Sequence, residues 1–203
     1  MNLFHHEGPI NRYGTIIADF IILNFIWILF SIPIFTIGAS TTALYSVSTR
    51  RIFDKEGYLL SDFWKSFRIN FIRATLFWLL SLALTALILI NLQILISLEL
   101  NPSLSAVLIA VQLVILIELI IASLYLYPIA ARFEMSFCQT VKSAFFMANR
   151  HLLTSISAAA AGTLIIIAVL NFAPFFLVGM GLYAYVTSHL FIRVFRKYKP
   201  EIF

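Results

Sequence analysis

From Thr75 to Leu98 the chain carries no charged side chain, and from Leu152 to Leu190 it carries none over a length sufficient for two membrane crossings. Two further runs are nearly as bare: Thr15 to Ile37 holds only Asp19, and Leu104 to Ala131 holds only Glu118. A hydrocarbon core about 30 Å thick is crossed by about 20 helical residues rising about 1.5 Å each, so these runs constrain the fold more than any other feature. The composition agrees. Hydrophobic residues make up 62% of the 203 and charged residues 11%, where soluble domains have about 45–50% and about 25%. A polar skin cannot enclose that much apolar side chain, whereas a bilayer surrounds a helix with apolar solvent on every side.

Asn171 and Pro174 divide the longest run, and Glu99, Asn101 and Pro102 part the second from the third. Asn and Pro signal turns, and Pro102 suits the first turn of a helix. The expected fold is all-α: a polytopic membrane bundle of five transmembrane helices over about 15–37, 75–98, 104–131, 152–170 and 172–190. Cytoplasmic linkers over 38–74 and 132–151 contain interfacial helices. The first run is too long, and its only preceding basic residue, Arg12, too slight, for a cleaved signal peptide.

Basic residues orient this layout. Thirteen of the 14 Lys and Arg fall in the two linkers and the C-terminal segment, and Arg12 alone falls among the remaining segments. By the positive-inside rule the C-terminus is cytoplasmic and, with five crossings, the N-terminus is outside. The net charge of +5 is thus a topology and headgroup signal, and no nucleic-acid partner is expected. Cys138 is the only cysteine, which excludes an intrachain disulfide and a paired-cysteine metal or redox site.

Within the first linker, Ser40, Thr41 and Thr42 can cap a short helix through Leu44, Val47 and Arg51, which Gly57 ends. A helix starting near Ser61 or Asp62 meets no Gly or Pro before Pro102, so it runs into the second span. Its start sets Phe63, Trp64, Phe67 and Phe71 beside Lys65, Arg68 and Arg73, a composition for the headgroup level. The second linker repeats the pattern: Lys142-Ser143-Ala144 and Asn149-Arg150 precede span four as Lys65-Ser66-Phe67 and Asn70 precede span two, and Pro33 and Pro128 sit near the ends of spans one and three. A parallel internal repeat and chance similarity of apolar-basic segments both account for this.

Asp19 and Glu118, the carboxylates within spans, are the first candidates for a polar path or partner contact. Such groups cost roughly 2.5–3.5 kcal/mol at mid-membrane and mark functional pathways by default; a neutral carboxyl bonded between helices is the alternative. In the second candidate site, a helix break, Pro33 removes a backbone bond, Gly38 frees the chain, and Thr36, Ser40 and Thr41 offer hydroxyls to the freed groups. A plain exit turn at the inner interface explains the same residues. Gly38-Ala39-Ser40 with His189 resembles a serine nucleophile and base only superficially, since no oxyanion donor accompanies them. No HExxH or GxxxxGK[ST] motif occurs, His5-His6-Glu7 reads as a solvated tail, and no catalytic residue, metal or cofactor is expected. Small residues at Ser155, Ala158, Ala159 and Gly162 suit close helix approach, while Tyr125, Tyr127, Tyr183, Tyr185 and Trp78 suit interface anchoring.

The stretch Ala18-Asp19 through Asn24 and Trp27 to Ile32-Pro33-Ile34-Phe35-Thr36-Ile37-Gly38-Ala39-Ser40-Thr41-Thr42-Ala43-Leu44-Tyr45 resembles the signature of the YesL-like family of bacterial membrane proteins. Phe63-Trp64-Lys65-Ser66-Phe67, Tyr127-Pro128, Arg132-Phe133, Lys142-Ser143-Ala144 and Arg150-His151-Leu152 follow in order. That family is one of unknown biochemical activity. The resemblance implies a bacterial cell-membrane protein associated with carbohydrate uptake, with ATP-driven importer subunits as partners beside the lipid bilayer. It adds Asn24 to the polar-path set and Lys65, Arg68, Arg132, Lys142 and Arg150 as linker contacts. Neither 50–73 nor 131–150 carries the Glu-Ala-Ala pattern with distal glycine by which importer permeases engage their ATPase, so a pore subunit is not expected. An accessory component is the leading expectation. A self-contained permease using Glu118 is the alternative, and an intramembrane enzyme a remote third. Oligomeric state is left open.

Overall fold

The computed structural model describes residues 9–53, 58–97 and 101–198. Those residues are all-helical: α1 (Pro9–Ser31), α2 (Ile37–Phe53), α3 (Leu59–Ser97), α4 (Pro102–Arg132), α5 (Phe137–Arg150), α6 (Leu152–Asn171) and α7 (Gly179–Phe195), with short 3-10 turns at Ile34–Thr36 and Ala173–Leu177. Three of these, α3, α4 and α6, are long and apolar enough to cross a membrane, rather than the five expected.

α1 ends at Ser31, ahead of Pro33; its apolar part among the described side chains is Ala18–Ser31, and the chain turns through Ile34–Thr36 into α2. At the other end, Pro174 does more than mark a boundary: the turn through Ala173–Leu177 consumes part of the fifth run and leaves α7 only 17 residues. The expectation for α3 holds, because with no Gly or Pro inside it the helix continues for 39 residues, about 58 Å. Asn101 caps α4 by accepting from the Ser103 N–H, with Pro102 at the first position.

The α2 start also departs from expectation. Ser40 and Thr42 are not caps but lie inside the helix, where their hydroxyls donate to the carbonyls of Thr36 and Gly38 at 3.1 and 2.9 Å. Every residue from Gly38 to Tyr45 is buried. α2 thus forms the centre of the bundle, packed by α1, α3, α4 and α7, and its small side chains permit that enclosure. A Cβ on Gly38 would stand 2.2 Å from the Ala74 carbonyl oxygen of α3.

Contacts fix the relative directions. Asp19 with Arg51, Trp27 with Thr41 and Ser31 with Ser40 make α1 and α2 an antiparallel hairpin. Gly38 against Ala74 and Arg50 against Asp62 make α2 antiparallel to the first half of α3. α5 folds back along α4, as Glu118 with Asn149 records. α6 and α7 are antiparallel along their lengths: Gly179 lies against Ile165 and Val169, Gly162 against Tyr183, and His151 bonds Tyr198. The core sits at the end of the molecule where α2 lies and is rich in aromatic rings, with Tyr125, Phe63, Phe77 and Phe191 enclosed. Beyond it the apolar lengths of α3, α4 and α6 stand almost wholly exposed, as helices solvated by lipid do.

Candidate functional site

The polar-path candidates stand in three places. Asp19 of α1 pairs with Arg51 of α2. Asn24 bridges α1 to α7, its Nδ2 donating to the Phe176 carbonyl at 2.9 Å and its Oδ1 accepting the Met180 N–H at 3.0 Å. The amide thereby caps the first turn of α7, where the backbone N–H groups have no helical partner. Glu118 of α4 accepts from Asn149 Nδ2 of α5. Each is satisfied by a different helix.

Two of these contacts are counterparts. In α1–α2 and again in α4–α5, a carboxylate on the longer helix meets a polar side chain at the end of the short helix folded back upon it, Asp19 with Arg51 and Glu118 with Asn149. The similarity of the linkers therefore extends to their hairpin geometry. It stops at burial, since α2 is enclosed while α5 keeps Val141, Phe145 and Phe146 exposed.

The helix-break residues are internally bonded. Thr36 Oγ1 lies 2.6 Å from the carbonyls of both Phe30 and Pro33, and Pro33 also accepts the Thr36 N–H at 2.8 Å. Ser40 and Ser31 share a 2.7 Å bond, and Thr41 accepts the Trp27 indole N–H at 3.1 Å. These groups compensate the backbone bonds lost at the proline. Ser40 and His189 make separate contacts, His189 with its own helix at the Tyr185 carbonyl. His5-His6-Glu7, Lys55, Gly57, Glu99 and Lys199 lie outside the described residues.

Of the linker cations, Lys65 and Arg132 line one cleft of about 690 Å³, formed where α2, α3 and the α4–α5 junction meet. Arg50, Arg73, Asp62 and Glu134 also line it. Arg50 pairs with Asp62 at 2.8 Å. Arg73 donates to the carbonyls of Met135 and Ala130 and to Asn70 Oδ1 at 2.6, 2.9 and 2.7 Å, tying α3 to the turn that follows α4. Lys65 is exposed. Arg68, Lys142 and Arg150 are not among its lining: Arg68 lies over Trp64 and Arg150 over Phe146, at 6.0 and 5.5 Å from the ring centres.

Sequence reasoning missed this cleft because its walls come from three separate segments. It also missed the start of α5, although the signal was present: Ser136-x-x-Gln139 is a capping box, with the Ser136 hydroxyl accepting the Gln139 N–H and Gln139 Oε1 accepting the Ser136 N–H. Arg73, the residue joining the parts, reads in the sequence as a topology and headgroup-level cation, not as a tie between segments.

Residues 20–92 match a family model described as protein of unknown function, DUF624. The match takes in Asn24, the whole Pro33 to Tyr45 motif, α2 and most of α3, and so the enclosed helix and one wall of the cleft. No curated protein and no solved structure matches the chain. Over its N-terminal part the chain is therefore similar to a family whose biochemical activity is undefined.

Proposed function

We propose that the chain is an integral membrane protein that works through contacts with a partner, as an accessory component of bacterial carbohydrate uptake. The observation that carries this reading is the dispersal of its polar groups: Asp19, Asn24 and Glu118 each close a contact between a different pair of elements. A polar path needs such groups to share one passage. A self-contained permease would join Glu118 to the break at Pro33, and the cleft includes neither. The carbohydrate association rests on the family resemblance alone.

In this reading α3, α4 and α6 cross the bilayer, and α7, running the length of α6, returns the chain to the side where α6 began. The basic ends of these helices face the cytoplasm. Because α1 and α2 form a hairpin, the start of α1 lies on that same side, in place of the outside N-terminus expected from five crossings. The partner surface is the outer face of α5, where Phe145 and Phe146 are exposed beside Lys142 and Arg150. Exposed aromatics rimmed by cations are the composition of an interface.

Extraction in mild detergent from native membranes of cells growing on a carbohydrate tests the reading. Importer permease or ATPase subunits are expected at near-equal amounts by mass spectrometry, and Phe145→Ser/Phe146→Ser should lose them. Recovery of the chain alone from both would reject the accessory role, and loss of uptake in Glu118→Gln would then favour the permease.

A further inference from the structure

Several polar side chains on the three long apolar helices are satisfied by their own helix. Thr85, Thr163 and Asn171 donate to the carbonyls four residues before them, at 2.8, 3.0 and 2.8 Å, which lets a hydroxyl or amide stand among apolar neighbours in lipid. Asn91 of α3 differs. It is exposed, and its side chain bonds nothing among the described residues. α3 holds no charge beyond Arg73, and Asn91 stands six residues, about 9 Å, before the last residue of the helix, Ser97. Where α3 crosses the bilayer, this amide is therefore held in hydrocarbon, with no water to bond. It also lines a groove of about 390 Å³ on α3, together with Ala83, Ala86, Leu87, Ile90 and Ile94. Along the same length α3 buries Ile88 and Leu95, and the groove opens on the exposed side of the helix.

An occupant that suits this groove is apolar along its length and carries a donor and an acceptor at the depth of Asn91. Acyl chains carry neither. A second copy of the chain carries both: in one membrane the two copies hold the same orientation, so their α3 helices run parallel and each brings its Asn91 to the same depth. Across a twofold axis each amide donates to the side-chain oxygen of the other, and one isologous contact that closes on itself satisfies both. Ala83 and Ala86 keep the groove shallow-walled enough for the neighbouring helix to approach. We propose that the chain pairs with a second copy through this face of α3, the two Asn91 side chains hydrogen-bonded to each other within the bilayer. The inference rests on α3 crossing the membrane and is separate from the accessory role: importer subunits recovered with a monomeric chain would reject the pairing and leave that role standing.

The full chain, labelled with donor or acceptor dye at the exposed Cys138, would be reconstituted in phosphatidylcholine vesicles and diluted with lipid while energy transfer is followed. A dimer is expected, and Asn91→Leu should weaken it about tenfold, the share of two interhelical amide bonds. Gln93→Leu, which removes an exposed amide of the same helix outside the groove, should leave it unchanged. Unaltered melting temperatures would verify that both variants fold. In membranes holding the Cys138→Ser chain, Leu87→Cys should form disulfide-linked pairs on mild oxidation, and Leu89→Cys, exposed on another face of α3, should not. Absence of energy transfer at every dilution, equal weakening by both amide variants, or equal linking by both cysteine variants overturns the pairing. A Leu87→Cys link to a different protein in native membranes, with no link between copies, would give the groove to a foreign helix and likewise overturn it.

Discussion

At the scale of single residues, close backbone approach and capping matter more than charge. Gly38 is held where any side chain meets the Ala74 carbonyl, a backbone atom that cannot swing away. Gly38→Ala should therefore lower stability by about 1–3 kcal/mol. Gly162→Ala, whose added carbon would meet only the Tyr183 ring at 3.3 Å, should cost less; thermal unfolding in detergent ranks the two. His151, which bonds Tyr198 at 2.9 Å, gives a pH dependence. Burial first, and then Lys197 and Arg150, push its pKa below the ordinary 6.5. The unfolded chain then takes up its proton first as pH falls, so stability is level above about pH 6.5 and declines below it. A melting series from pH 7.5 to 5 should show that decline, and His151→Gln should flatten it. Asp19, Glu118 and the proline-glycine break were visible as unusual residues in apolar sequence, and Asn24 through the family resemblance. Their partners were not, because Arg51, Phe176 and Asn149 lie 31 to 152 positions away, and nothing in the local pattern pairs them.

At the scale of elements, sequence was most informative where one local rule acted alone. The uninterrupted α3 follows from the lack of Gly and Pro, and the start of α4 follows from Asn101-Pro102. It was least informative for α2, whose hydroxyls looked like caps because in an isolated segment Ser and Thr compete for backbone groups. Inside the bundle they bond the preceding turn and let neighbouring helices close on every side. The end of the last apolar run was misjudged for a related reason: hydropathy measures length available, while Pro174 decides how much of it one helix uses. The cap on α5 can be tested by itself. Ser136→Ala should cost about 1 kcal/mol, and hydrogen exchange should rise in the first turn of α5 while α6 keeps its protection.

For the whole molecule, the hairpin arrangement makes a topological statement that five independent crossings would not. With Cys138 replaced by Ser, single cysteines introduced as Arg12→Cys and Tyr198→Cys should react with an impermeant maleimide from the same side of the membrane, and Asn101→Cys from the opposite side. Reaction of Arg12→Cys from the Asn101 side would restore a full first crossing. The membrane location itself was legible from the length of the charge-poor runs; the assembly was not, because it depends on which helices the small residues of α2 allow to meet.

The enclosure of α2 has a consequence for how the chain is made. α2 leaves the ribosome well before α7, which walls it in part. Until α7 arrives, Tyr45 lacks its Thr187 partner and Asn24 lacks the helix end it caps. The newborn protein must therefore shelter a hydroxyl-rich helix until α7 has been made. α7 is the closing piece, and a chain stopped before Gly179 is expected to reach the quality-control proteases of the membrane with its centre still open.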